Sequence, residues 1–435
     1  MRKLLLFCGL LLAFGARAAE KNGTDITGKL ADLGTPAEKR YSNPYARNVW
    51  TLKAFDGKIF VGCGNSSNGG PASNAGPVPV FSFDPRSKKF TEEGSVPDEQ
   101  IDVYRVIDNV LYIPGHDPKG DWKFCNFYRR KAGSGKWEIK QVSLDTGWPH
   151  NYDMTKFDDK LYAAGYGLYV SADQGAHFTA VKDVFGGRFY TFLDFPEKVY
   201  AVADIRFNGG KTQVRDKSGK VIKTFDSPMT GYAGVGVCEK GKGFVSARKI
   251  TPKGITPEEL MPGVQFDKNP DTPYDRRIKY KICRPLPYKG NVLYIGGIQH
   301  NDHQLTPLGA FHAVDGKDNL QVTAIGLPEK AEPWHFAVAG GKALLLFSVK
   351  KTDGKGYVNH VWQSEDGLAF SPLFYFQAKT FARAIEYLDG YLYFGLGTEV
   401  AEHGYFVGNS LKLKFDPAEL HPDSGKILRY KWSAK

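Results

Sequence analysis

Methionine is scarce, 4 in 435 residues, and only 5 cysteines are present. Helix-rich chains lean on Met, Ala, Leu and Glu, so the first shortage argues against an all-helical fold. The second excludes a small scaffold built from disulfides. Beyond the first residues no segment approaches the ~20 apolar residues of a membrane-spanning helix. Acidic residues are the scarcer charge, 47 against 58 Lys and Arg. What is plentiful is glycine (49), phenylalanine (29) and tyrosine (23). Turn formers and aromatics in that proportion suit an all-β protein with many tight turns.

The chain begins Met1-Arg2-Lys3, continues with an apolar run from Leu4 to Phe14, and reaches Ala16-Arg17-Ala18. A basic start, a short apolar stretch and an A-x-A site describe a secretory signal peptide, assigned to 1–18. The protein is therefore expected to be secreted or periplasmic. Without Arg2, Lys3 and Arg17, 55 basic residues face 47 acidic ones, a charge of +8. A basic protein outside the cytosol points to an anionic polysaccharide partner rather than nucleic acid. Cys63, Cys125, Cys238 and Cys283 remain, with no CxxC spacing; they read equally as buried strand residues and as disulfide partners.

One pattern recurs: a strand, a tight turn, and a second strand ending in small residues. Leu52–Phe55, Asp56-Gly57 and Lys58–Gly62 form the first copy, and Ala382–Leu388, Asp389-Gly390 and Tyr391–Gly395 the last. Asp-Gly and Gly-Gly between apolar runs are hairpin signals. Eight copies align on Phe60, Tyr112, Tyr162, Tyr200, Val245, Tyr294, Leu345 and Tyr393, spaced 38 to 52 residues apart. That period predicts a β-propeller of four-stranded blades: eight by hairpin count, seven if one hairpin is decorative. Residues 19–45 read as an N-terminal leader and 46–435 as a single propeller domain. Ser171–Phe178 and Ser364–Phe370 resemble the Asp-box loops of sialidases, where the Asp caps a turn and the aromatic packs between strands.

In a propeller the residues just before the innermost strand and just after the second strand share one rim. Those positions hold Arg47, His150, Tyr190, Arg284, His335 and Arg383, then Asn65, His116, Asp117, Arg206, Arg248 and His300. The rim is expected to be rich in His, Arg and Tyr, with Asp117 its one carboxylate. A glycoside hydrolase normally needs two carboxylates about the scissile bond, so hydrolysis, including that by sialidases, is disfavoured. A lyase needs a base, a proton donor and a cation to neutralise a uronate carboxylate, which His, Tyr and Arg can supply. His300 and His303 share a loop and would suit a structural Zn²⁺ or Ca²⁺; no cofactor is required for the chemistry. A monomer is expected.

Asn48-Val49-Trp50, Gly64–Asn68, Asn74–Pro77, Glu99–Asp102 and Ile113–Asp117 resemble secreted bacterial propeller proteins related to the propeller-fold ulvan lyases. The similarity is clearest over 45–210. It implies a seven-bladed fold and β-elimination of a sulfated, uronate-containing polysaccharide. His and Tyr would act as base and acid while an Arg binds the carboxylate. His116, His150, Tyr190 and Arg206 fit those positions by order and spacing, with Arg248, Asn65 and His335 as further substrate contacts. The rival reading is a non-catalytic propeller that binds a sulfated glycan or a partner protein.

Overall fold

The computed structural model describes residues 23–66, 75–118, 124–143, 150–182, 184, 188–215, 220–246, 255–264, 279–300, 304–316, 320–399, 403–407, 410–414 and 420–432. For 204–215, 221–234, 298–300, 403–407 and 410–414, among others, it describes the backbone alone. The signal peptide 1–18, Arg248 and His303 lie outside the described residues.

Seven four-stranded antiparallel blades follow one another along the chain, each but the last with strands A to D in sequence order from the inside outwards; blades 4 and 5 are joined by an Ile205–Tyr280 pairing. Blade 1 has Thr51–Phe55, Lys58–Gly62, Val78–Asp84 and Lys89–Val96. Blade 2 has Arg105–Ile107, Val110–Pro114, Phe124–Lys131 and Glu138–Ser143. Blade 3 has Asn151–Phe157, Lys160–Gly165, Gly167–Ser171 and Thr179–Ala180, and blade 4 Phe189–Asp194, Lys198–Arg215, Val221–Glu239 and Phe244–Ser246. Blade 5 has Lys279–Tyr288, Asn291–His300, Gln304–Asp315 and Leu320–Ala324, and blade 6 Glu332–Ala339, Lys342–Lys350, Tyr357–Ser364 and Ser371–Ala378. Blade 7 has Ala382–Leu388, Tyr391–Leu396 and Ile427–Lys431, and its outermost strand is Ala31–Gly34 from the other end of the chain. Pairing of first and last segments joins the ends of the ring. Thr24–Asp25 also runs parallel to the outer strand of blade 6.

The blade count is thus seven, not eight. Gly234–Cys238 and Gly243–Ala247 carry the hairpin signature, but their strands are C and D of blade 4, outside the long B strand Lys198–Arg215. A turn signal marks a hairpin without saying where in the blade it lies. Ser410–Lys414 pairs with His403–Val407 in a hairpin separate from the blade 7 sheet.

Six A–B turns (Asp56-Gly57, Asp108-Asn109, Asp158-Asp159, Lys289-Gly290, Gly340-Gly341 and Asp389-Gly390) have both central residues at positive φ. That is the turn whose twist matches paired strands. The small residues ending strand B mark close approaches: a Cβ on Gly62 would collide with the Ile101 carbonyl, and one on Gly165 with that of His150. Each blade shares an apolar core with its neighbours. Blades 7, 1 and 2 pack around Tyr393, Val61 and Tyr128, blades 3 and 4 around Tyr162 and Phe192, and blades 6 and 7 around Phe376 and Phe394. The Asp-box loops hold as expected. Ser171 and Ser364 donate to Asp173 and Asp366, while Phe178 packs on Phe127 and Phe370 on Phe336.

Candidate active site

The seven A strands surround a central cavity of about 740 Å³. Four carry a β-bulge near their start, leaving Tyr152, Tyr190, Trp334 and Arg383 as the extra residue. A bulge breaks the alternation of side chains and re-aims one of them. Three of these four, Tyr152, Tyr190 and Arg383, line the cavity.

Tyr152 is the centre of the imidazole–phenol cluster. Tyr190 stacks on it with ring centres 4.2 Å apart, His116 meets it edge-on at 5.2 Å, and His150 stacks at 5.3 Å. His116 and Tyr190 face the cavity. His150 sits behind, between Tyr152 and Tyr166. Its Nδ1 is 2.9 Å from the His116 carbonyl, an acceptor, so Nδ1 carries the proton and Nε2 is the basic nitrogen of the neutral ring. His116 Nδ1 lies 3.6 Å from Asp102 Oδ2. Burial, then the neighbouring Tyr190, pushes the Tyr152 phenol well above its ordinary range, so Tyr152 stays neutral. Two cations flank Tyr190: Arg188 Nη1 donates to its hydroxyl at 3.5 Å, and Lys281 Nζ lies 3.7 Å from its ring centre.

The rim is richer in acids than its strand ends suggest. Asp98, Glu99 and Asp102 come from the connection between blades 1 and 2, upstream of the positions that flank a strand. Asp98 is fully buried and accepts from the Glu99 and Asp117 amides at 2.8 and 3.0 Å. Burial drives its carboxyl up to about 7. Burial, then Glu99 and Asp98, holds Asp117 well above the usual carboxylate range. Asp117 in turn lies 3.4 Å from His150 Nδ1.

Other cavity carboxylates are committed. Asp153 forms a two-point pair with Arg105 at 2.6 and 2.7 Å and also accepts from the Phe192 amide. Asp194 accepts from Thr155 at 2.7 Å, and Glu386 pairs with Lys53 at 3.4 Å.

Of the residues singled out from sequence, His116, His150 and Tyr190 come together. His335 lines the same cavity from blade 6. Asn65 is buried but is not among the residues lining the cavity; its backbone amide donates to the Glu99 carbonyl and its own carbonyl accepts from Ala75. Arg206 lies on strand B of blade 4 opposite Tyr232, and His300 ends strand B of blade 5; their side chains are outside the described residues. Among the described residues no three His, Cys, Asp or Glu side chains gather as a metal site, and Cys63, Cys238 and Cys283 are free thiols. Tyr152, Arg188, Lys281 and Asp102 were not singled out. Tyr152 and Arg188 each lie two residues from a chosen one, His150 and Tyr190, which was the available signal.

These features define a seven-bladed β-propeller with a polar site at the mouth of its central channel. No family model matches the chain, and no curated protein matches it. Among solved structures it is similar to YCF48 bound to a D1 peptide, at 11% identity and TM-score 0.45 over 95% of this chain and 100% of that one. It is also similar to the Neurospora crassa Pan2 WD40 domain, at 11% and 0.45 over 96% and 97%. For the Penicillium chrysogenum α-L-arabinanase complexed with arabinobiose the values are 10% and 0.36 over 73% and 92%. Among the described residues no helix is long and apolar enough to cross a membrane.

Proposed function

We propose that this protein is a secreted polysaccharide lyase that cleaves a uronate-containing, sulfated polymer by β-elimination. The observation that carries the reading is the cavity-facing pair His116 and Tyr190, joined through Tyr152, with Arg188 and Lys281 against Tyr190. The cations neutralise the uronate carboxylate, which makes the carbanion at the adjacent carbon accessible. His116 takes the C5 proton, the C4–C5 double bond forms as the C4–oxygen bond breaks, and Tyr190 returns a proton to the leaving oxygen. The two roles exchange for a substrate of opposite C5 configuration. Arg206, the cation that the family resemblance implies, belongs to the same blade as Tyr190 and Arg188.

Hydrolysis is the weaker reading because the cavity carboxylates are committed to Arg105, Thr155, Lys53 and Lys156 or face His116. A propeller that only binds an anionic glycan would use the same cations without needing the imidazole–phenol pair. The test is to incubate the mature protein with a panel of uronate polymers, ulvan among them, and follow absorbance of the unsaturated product. The expected result is a rise with at least one polymer; a flat trace with all of them removes the lyase reading.

A further inference from the structure

The cavity wall made by blades 5 to 7 differs from the site just described. In strand A of blade 5, Cys283 pairs with Ile295 and Leu286 with Leu293, so Arg284 and Pro285 together face Tyr294. Arg284 has φ +52. Among the described residues it is the only non-glycine residue within a strand that adopts the left-handed region. Such a conformation is strained for a residue with a Cβ, and residues held this way cluster at binding and active sites.

The side chain it delivers lines the cavity, and its Nη1 is buried without a hydrogen-bond partner among the described residues. Its cationic neighbours are matched: Arg383 pairs with Glu399 and lies over Trp50, and Lys53 pairs with Glu386. Arg284 and Lys281 have no ion pair among the described residues. A buried cation without a partner is costly unless a ligand supplies the opposite charge.

We infer that Arg284 forms an oxyanion subsite that takes one sulfate-ester or carboxylate group of a ligand in the central channel. Burial and the nearby Arg383 lower the Arg284 pKa to about 10, so the group is charged at neutral pH. A guanidinium with an unpartnered Nη1 suits an oxygen of such a group. The subsite extends the proposed function by giving its substrate a second anionic contact, yet it rests on geometry of its own and does not require turnover.

The experiment is calorimetric titration of the full chain with sodium sulfate, sodium acetate and a monosaccharide sulfate, at fixed ionic strength in chloride. Wild type is compared with Arg284→Gln and with Lys136→Gln, an exposed lysine away from the cavity. Wild type and Lys136→Gln bind at least one probe alike, and Arg284→Gln weakens it about tenfold or more. Preference for sulfate over acetate tells which group the site takes. Arg284→Gly, which fits the left-handed backbone, melts no lower than wild type and does not bind. Equal binding by Arg284→Gln and wild type, no binding of any probe, or a clear loss of melting temperature in Arg284→Gly overturns the inference. Binding at Arg284 together with a flat trace on every uronate polymer removes the lyase reading and leaves the subsite standing.

Discussion

The two sides of the central channel are built on opposite electrostatic plans. Around blades 2 to 4, Arg105 and Asp153 form a two-point pair, Asp194 is held by Thr155, and Asp98 accepts from two backbone amides. Around blade 5, Lys281 and Arg284 face the cavity with no ion pair among the described residues. Satisfied groups hold the ring together; unsatisfied ones are available to a ligand. Replacing residues on the two sides should therefore have different consequences.

The largest effect is expected on the paired side. Asp153→Ala strands the buried Arg105 cation and frees the Thr191 hydroxyl and the Phe192 amide. It should cost about 3–5 kcal/mol in chemical denaturation, the range for breaking a buried pair. A cost near zero would mean that pairing does not distinguish the two walls. A smaller effect sharpens the comparison through pH. The folded Asp98 carboxyl titrates near 7 instead of the ordinary 3.8. Between those values the native state holds a proton that the unfolded chain has released. The stability Asp98 contributes is full below the ordinary value and lost as pH rises through about 7. Asp98→Asn should flatten that fall, gaining on wild type toward pH 7 and above. Parallel stability curves for the two proteins would contradict it.

The sequence made the turns readable because their chemistry is local. Asp56-Gly57 and Asp389-Gly390 need only their own backbone conformation to be recognised. The blade count was less readable, since the Lys240-Gly241 hairpin looks the same whether it starts a blade or ends one. The closing strand Ala31–Gly34 pairs with residues about 400 positions away and has no local signal. Among site residues, His116 and His150 stand beside strand ends, where topology alone predicts convergence. Tyr152, Tyr190 and Arg284 lie inside strands at bulges that turn them toward the channel; Tyr190 and Arg284 were expected on the rim, but no alternation rule anticipates a bulge. Asp98 and Asp102 lie in the connection between blades 1 and 2, away from the positions that flank a strand; Glu99–Asp102 carried the family resemblance without being assigned to the site.

The most direct test of the account is Tyr190→Phe, measured for binding and turnover on the same uronate polymer. Loss of one hydroxyl should leave affinity and melting temperature close to wild type and lower turnover by about 10²-fold or more, the usual contribution of a positioned proton donor or base. Turnover equal to that of wild type would contradict the assignment of Tyr190 to the chemistry.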